Sequence, residues 1–331
     1  MFGYIIRRLI AAFLVIVVTS IAVFALFVFG PASPASKLCS ANGRCTNQRL
    51  AEFEHSLGLD QSFASQYGTF VKGIFVSRTI HQGSAAYACP APCLGISYLD
   101  STQVRAQITH RFPATLSIAV GGAIIELFLG LTMGSMAARW RGSAGDRLLV
   151  SGSLLVSSFP YFIVCLLAWI YLFSVWGIFP QSGYTSPFSS PYQWAAGLLL
   201  PWLVLGVTGS TNYARYGRTQ MVEVLGEDYV RSATAKGVSV NKTVFKHALR
   251  AAIVPIITIF GIDFAYLLSG TIITEKIFDI QGIGLYALTS ALNLDYPAVN
   301  GTVLFAAVII VVANIIVDVM YSVIDPRVRL T

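Results

Sequence analysis

Residues 10–29, IAAFLVIVVTSIAVFALFVF, contain no charged side chain. About 20 apolar residues in a helix cross the hydrocarbon of a bilayer, and a soluble fold has little use for such a run. Arg7 and Arg8 precede it, as basic residues precede a secretory signal, but the apolar part of a signal peptide is only about 7–15 residues long. The run is therefore expected to remain as an anchor. Five more follow at roughly 113–138, 148–176, 194–214, 252–274 and 301–324. The expected fold is all-α, a polytopic membrane protein with six transmembrane helices. Pro160, Pro201 and Pro255 interrupt these runs, which is tolerated where neighbouring helices satisfy the freed backbone groups. Gly130-x3-Gly134 would let another helix approach closely.

Composition agrees. Hydrophobic residues make up 55% of the chain and charged ones 11%, against about 25% charged in a soluble domain. The net charge of +7 does not point to nucleic acid, because the basic residues sit in short stretches between apolar runs, not in one patch with interleaved aromatics.

Six spans put both termini on one side, and basic residues choose the side. With the termini cytoplasmic, the inner segments hold Arg7, Arg8, Arg139, Arg141, Arg147, Arg327 and Arg329, and one loop holds Arg215, Arg218, Arg231, Lys236, Lys242, Lys246 and Arg250. The outer side holds Lys276 and seven basic residues of one long region. Long loops translocate largely regardless of charge, so the contrast favours this orientation. The chain then divides into residues 1–30 with the first span, an extracytoplasmic region over 31–112, and a five-helix core over 113–331 that includes a cytoplasmic loop at 215–250.

Cys39, Cys45, Cys89 and Cys93 all fall in the external region, and Cys165 in the third span. Disulfides persist outside the cytoplasm. Four cysteines allow three pairings. The local pair Cys39–Cys45 and Cys89–Cys93 is favoured because each bridge closes a short loop. A metal site is the alternative, but C-x5-C and C-x3-C are not the usual zinc spacings and histidines are sparse.

The cytoplasmic loop reads as two short helices separated by Gly237. Glu227 and Asp228 suit the start of the first and Lys236 its end. Gly237 suits the left-handed residue after a helix, and Ser239 can cap a second helix over 240–250. Tyr229, Ala233 and Gly237 recur at i, i+4, i+8, and Ala235 and Ala252 keep the hairpin slim. A basic interfacial hairpin beside anionic lipid fits this composition too.

YVRSATAKG at 229–237, followed by HALRAAIVP at 247–255, resembles the EAA-type cytoplasmic loop of ABC importer permeases. Gly237 and Pro255 stand further apart than in the general pattern, which is similar to the dipeptide/oligopeptide branch. Arg231 and Ser232 stand near the point where the motif's glutamate would be. RRLI at 7–10, LGLDQSFASQYGTFVKGIF at 57–75, RFPATLSIA at 111–119, RGSAGDRLL at 141–149, SSFPYFI at 157–163 and FPQSGY at 179–184 follow in family order. So do TEKIF at 274–278, DYPAVNG at 295–301 and NIIVDVMYSVIDPRVR at 314–329. The chain is thereby identified as a member of the dipeptide/oligopeptide ABC importer permease family. Two features depart from its pattern. Asp279, Ile280 and Gln281 stand where the family often has proline and glycine, and the stretch around 77–96 resembles an insertion.

The resemblance implies the type I ABC importer permease fold and a bacterial inner-membrane location. It implies a permease subunit forming half of a pathway for dipeptides or oligopeptides, with a second homologous permease as the other half. One or two ABC ATPase subunits would bind ATP and Mg, and a periplasmic or lipid-anchored substrate-binding protein would deliver cargo. Glu227, Asp228, Tyr229, Arg231, Ala233, Ala235, Lys236 and Gly237 would belong to the segment the ATPase pushes. The chain itself has no G-x4-G-K-[ST] loop for phosphates, so no cofactor is expected in it and it is not expected to be an enzyme. Nickel chelates, glutathione and haem are alternative cargoes, since related permeases carry them.

Ionisable residues within spans are functional candidates by default. Glu126 lies mid-span in the second helix, Asp263 mid-span in the fifth and Asp318 near the inner end of the sixth. Such a carboxylate can assist a peptide's ammonium, or make an interhelical hydrogen bond or salt bridge. The family usually carries an uncharged polar residue at the position of Asp263. A channel or secondary transporter would need a filter or inverted repeats, and a membrane enzyme a motif such as H-E-x-x-H or G-x-S-x-G. None of these is in the sequence.

Overall fold

The computed structural model describes residues 2–30, 35, 36, 39, 45–82, 85–269 and 271–324, without the side chains of 2–5, 82, 247, 254 and 317–324. In chain order the elements are α1 (Phe2–Val28), α2 (Asn47–Ser56), α3 (Phe63–Phe75), β1 (Arg78–Gln82), β2 (Ala85–Cys89), α4 (Val104–Arg139), α5 (Ala144–Ser158) and α6 (Tyr161–Leu167), which continues as a π-helix over Ala168–Val175. Then come α7 (Pro191–Leu225), α8 (Asp228–Ala235), a single α-turn at Val240–Lys242, a π-turn at Thr243–Ala248, α9 (Leu249–Ser269), α10 (Ile272–Ile277), α11 (Ile283–Leu292) and α12 (Tyr296–Ile324).

The apolar runs form helices, but not six straight ones. Among the described residues, four are long and apolar enough to cross a membrane, at Ile6–Val28, Val104–Arg139, Pro191–Leu225 and Tyr296–Ile316. The third and fifth runs are broken. α5 and α6 meet at 91°, and the segments Val240–Ile253 and Pro255–Ser269 at 56°. Proline explains both breaks, since it removes an N–H and restricts the residue before it. Pro160 stands directly between α5 and α6. The helices present bulky apolar side chains outward, as Phe13 and Phe128, each 66% exposed, illustrate. Exposed apolar side chains in such number mark contact with lipid or with a partner.

The chain forms two compact units, residues 1–113 with 282–311, and residues 114–281 with 312–331. In the first, Val104, Ile108, Ile283, Tyr286 and Ala298 make a buried core with Phe112 and Phe305 against it. β1 and β2 pair antiparallel, Arg78 opposite Cys89. This hairpin departs from the all-α expectation, and it lies in the stretch around 77–96 that resembles an insertion. Disulfides join Cys39 to Cys45 and Cys89 to Cys93. The N–H of Cys93 bonds to Gly73 O at 2.9 Å, and Arg78 Nη1 to Thr69 O at 2.9 Å, so the hairpin is fastened to α3. The DYPAVNG stretch has a clear local duty: buried Asp295 accepts from Ser97 Oγ at 2.5 Å and from the Tyr98 N–H at 3.0 Å.

The second unit is built on α4 against α7. A Cβ at Gly130 would run into Tyr213, and one at Gly134 would lie 2.8 Å from Ala214 O. The expected close approach at these glycines is therefore made, and its partner is α7. A second anchor is the TEKIF stretch. Glu275 is fully buried and accepts from Thr115 Oγ1 at 2.7 Å, while Thr274 Oγ1 and Tyr161 Oη are 2.6 Å apart. These bonds tie α10 to α4 and α6. Asp279, where the family often carries glycine nearby, has φ +52°, a left-handed conformation that Asp tolerates better than most side chains.

Candidate functional site

The second unit carries an open cavity of about 810 Å³ between α4, α5, α7 and α9–α10. Glu126 and Asp263 both line it, although 137 positions separate them in sequence. Glu126 is 8% exposed. Room for its carboxylate comes from Gly209, where any Cβ would collide with it. Asp263 Oδ2 accepts from Tyr213 Oη at 2.6 Å, and Tyr213 is itself buried. One carboxylate is thus held by a tyrosine, while the other rests on a bare backbone. The rest of the lining is mostly apolar and hydroxyl side chains, among them Phe159, Tyr161, Thr208 and Tyr266. Asp318, the third residue proposed from sequence, has a side chain outside those described.

The cytoplasmic loop has the helix-glycine-helix order expected, with two local differences. Helix α8 covers Asp228–Ala235 and Lys236 follows it. Gly237 has φ +81°, its N–H bonding to Thr234 O at 3.0 Å and that of Val238 to Ala233 O at 3.2 Å. That is the left-handed helix end glycine favours. The first difference lies in capping. Ser239 has extended cap geometry, yet its side chain accepts no cap bond, whereas Glu227 and Asp228 stand at the start of α8 as expected. The second is that the helix after Gly237 is not separate. Its α-turn passes through the π-turn Thr243–Ala248 directly into α9.

The loop also shows which face is free. Val230 is buried, and with Thr234, Val240 and Val244 it lines a cavity of about 440 Å³ against Ala138 and Leu225. Glu227, Asp228, Tyr229, Arg231, Ala235, Lys236 and Gly237 are exposed, and Ala233 half-buried. Below, Ala138, Met221, Val244, Ala248 and Ala252 form a buried cluster that roots the loop.

An ion pair that sequence reasoning missed braces the same end. Arg218 Nε and Nη2 donate to Asp146 Oδ1 and Oδ2 at 2.6 and 2.7 Å. The carboxylate also accepts from the Gly142 N–H at 2.9 Å, while Ser143 Oγ caps α5 through the Asp146 N–H. A bidentate guanidinium–carboxylate pair with a third donor is the strong, orienting kind. It explains the RGSAGDRLL stretch as a clamp between the α4–α5 turn and α7, whose end leads into α8. Among the described residues, no group of three His, Cys, Asp or Glu could hold a metal ion.

Residues 130–330 match the family described as the binding-protein-dependent transport system inner membrane component, and residues 1–119 match the N-terminal part of that membrane component. The chain belongs to this family. A protein of Brucella abortus (strain 2308), provisionally named a peptide transport system permease protein, is 34% identical over 330 residues, covering 99% of both chains. The glutathione transport system permease protein of Escherichia coli O6:H1 is 32% identical over 330 residues, again 99% of both. Among solved structures, a chain of the inward-facing methionine ABC transporter superposes with a TM-score of 0.53 at 17% identity, covering 67% of this chain and 97% of that one. That likeness supports the type I permease fold. The protein is thus a multi-pass inner-membrane permease component of an ABC importer.

Proposed function

We propose that this permease carries dipeptides or oligopeptides, that it forms half of the translocation pathway, and that a second homologous permease forms the other half. One or two ABC ATPase subunits, binding ATP and Mg, drive it, and a periplasmic or lipid-anchored binding protein feeds it. The chain spans the membrane six times, each bent helix pair counting as one crossing, with both termini cytoplasmic. The observation that carries the reading is the length of the likeness: identity to a peptide transport permease continues over 330 residues, so the external region and the cytoplasmic loop are both included.

The mechanism follows from the loop. An ATPase that closes on nucleotide must push something short and stiff. Helix α8 is seated on the protein through Val230 and leaves its charged side outward. The Arg218–Asp146 clamp and the buried cluster below it pass a displacement to α7 and α4, which line the cavity holding Glu126. Such a push biases a two-state element between inward-open and outward-open forms. Glutathione is the second reading, because the Escherichia coli relative is named for it and because glutathione is itself a small peptide. Uptake by the reconstituted complex decides between them: the first reading expects accumulation of dipeptides or oligopeptides in preference to glutathione, and exclusive uptake of glutathione overturns it.

A further inference from the structure

We infer that Glu126 and Asp263 form a site for an organic ammonium, the free N-terminal group of the transported peptide, inside the cavity of the second unit; this rests on the peptide-importer reading above.

The argument begins with Glu126. Its side chain is more than nine-tenths buried, it lines the cavity, and among the described residues no hydrogen bond or ion pair reaches its carboxylate. A carboxylate that keeps little contact with water and has no protein partner is costly, and residues of this kind inside a membrane mark a pathway or a site. The backbone has been shaped to admit it, since the carboxylate occupies the space a side chain at Gly209 would fill. Asp263 lines the same cavity and is fixed by Tyr213, which leaves its other oxygen uncommitted to that bond.

The remaining lining favours a cation of a particular chemistry. Among the described residues it contains no lysine, arginine or histidine. Arg215, further along α7, is engaged with Asn212 Oδ1 at 2.6 Å and Ser157 Oγ at 3.4 Å. It does not neutralise the carboxylates. A metal ion would want several oxygen ligands converging at close range, and no such cluster of acidic or histidine side chains is present among the described residues. An ammonium needs less: two carboxylates, hydroxyls such as Thr208, and aromatic faces such as Tyr266 and Phe159 for its apolar flank and its charge. With about 810 Å³, the cavity is within the usual size of a small-ligand site, and it holds a short peptide with its first residue at the carboxylates.

The test is saturation-transfer NMR on the assembled transporter in nanodiscs, without binding protein and with millimolar dialanine as probe. Wild type is expected to show saturable transfer that ethylammonium displaces and N-acetyl-dialanine does not. Glu126→Gln and Asp263→Asn should each weaken the transfer at least tenfold, with the subunits still co-purifying as a complex. No transfer in wild type, equal displacement by N-acetyl-dialanine or by Mg²⁺, or unchanged binding in both variants overturns the inference. Uptake of binding-protein-delivered peptide by the wild-type complex is measured beside it. If uptake is present and the NMR result is negative, only the ammonium site fails; if peptide uptake is absent, the cargo reading itself fails.

Discussion

Gly237→Glu places a carboxylate at the exposed end of α8, and the structure separates its effect on this chain from its effect on a partner. Gly237 has φ +81°, and a Cβ there would meet nothing within 4 Å. The penalty inside the chain is then the left-handed conformation alone, roughly 1–2 kcal/mol for a non-glycine residue. It falls on a loop end and leaves the buried cluster of Ala138, Met221, Val244, Ala248 and Ala252 untouched. A charge forced unpaired into a tight partner groove costs several kcal/mol more, and each 1.4 kcal/mol is about tenfold in affinity. The variant should therefore express and insert normally, while losing transport and the stimulation of ATPase activity by loaded binding protein. Gly237→Ala adds the backbone strain but only a methyl group, so a loss of up to about tenfold is expected. The assay is transport and ATPase activity together in the purified complex. Normal transport by Gly237→Glu, or crosslinks from 226–240 that never reach an ATPase subunit, would show that this loop is not the lever.

Other residues give sharp outcomes as well. A double-mutant cycle on Asp146→Asn and Arg218→Gln should return a coupling of about 1.5–3 kcal/mol in thermal or denaturant unfolding, as expected for hydrogen bonds to charged groups; additive effects would deny that the pair at 2.6 Å acts as a clamp. Gly209→Val should displace the Glu126 carboxylate and abolish transport while the complex still assembles, and unimpaired uptake would contradict the tight fit found there. Mass spectrometry of unreduced peptides should recover Cys39–Cys45 and Cys89–Cys93, and four free thiols or a bound metal would refute both bridges. Gly145→Cys should stay unlabelled by an impermeant thiol reagent applied to intact cells, whereas labelling from outside would invert the topology.

What was legible in the sequence was what depends on local pattern. Long apolar runs announced the helices, Pro160 marked the place where the third run breaks, and Gly130 and Gly134 announced a close helix contact without naming α7 as its partner. Gly237 read correctly as a helix end because that position needs only local backbone freedom. The hairpin at 78–89 was hidden because its strands are five residues each and one, RTIHQ, is polar except at Ile80. The internal wiring was hidden for a different reason. Asp146 and Arg218 lie 72 positions apart, and Thr115 and Glu275 lie 160 apart; no periodicity links such pairs, and only packing brings them together. Glu126 and Asp263 stood out as buried charges, but that they share one cavity, and that Gly209 makes the space for Glu126, follows only from how α4, α7 and α9 meet.

The most direct test of the account is uptake of a labelled dipeptide into proteoliposomes holding the complete transporter, with loaded binding protein on the external face and ATP on the face that carries the loop 226–240. The account predicts accumulation that requires hydrolysable ATP and an intact ATPase, and that Gly237→Glu abolishes. Accumulation that proceeds equally without ATP or without the ATPase, as a channel or an ion-coupled carrier would give, would contradict it.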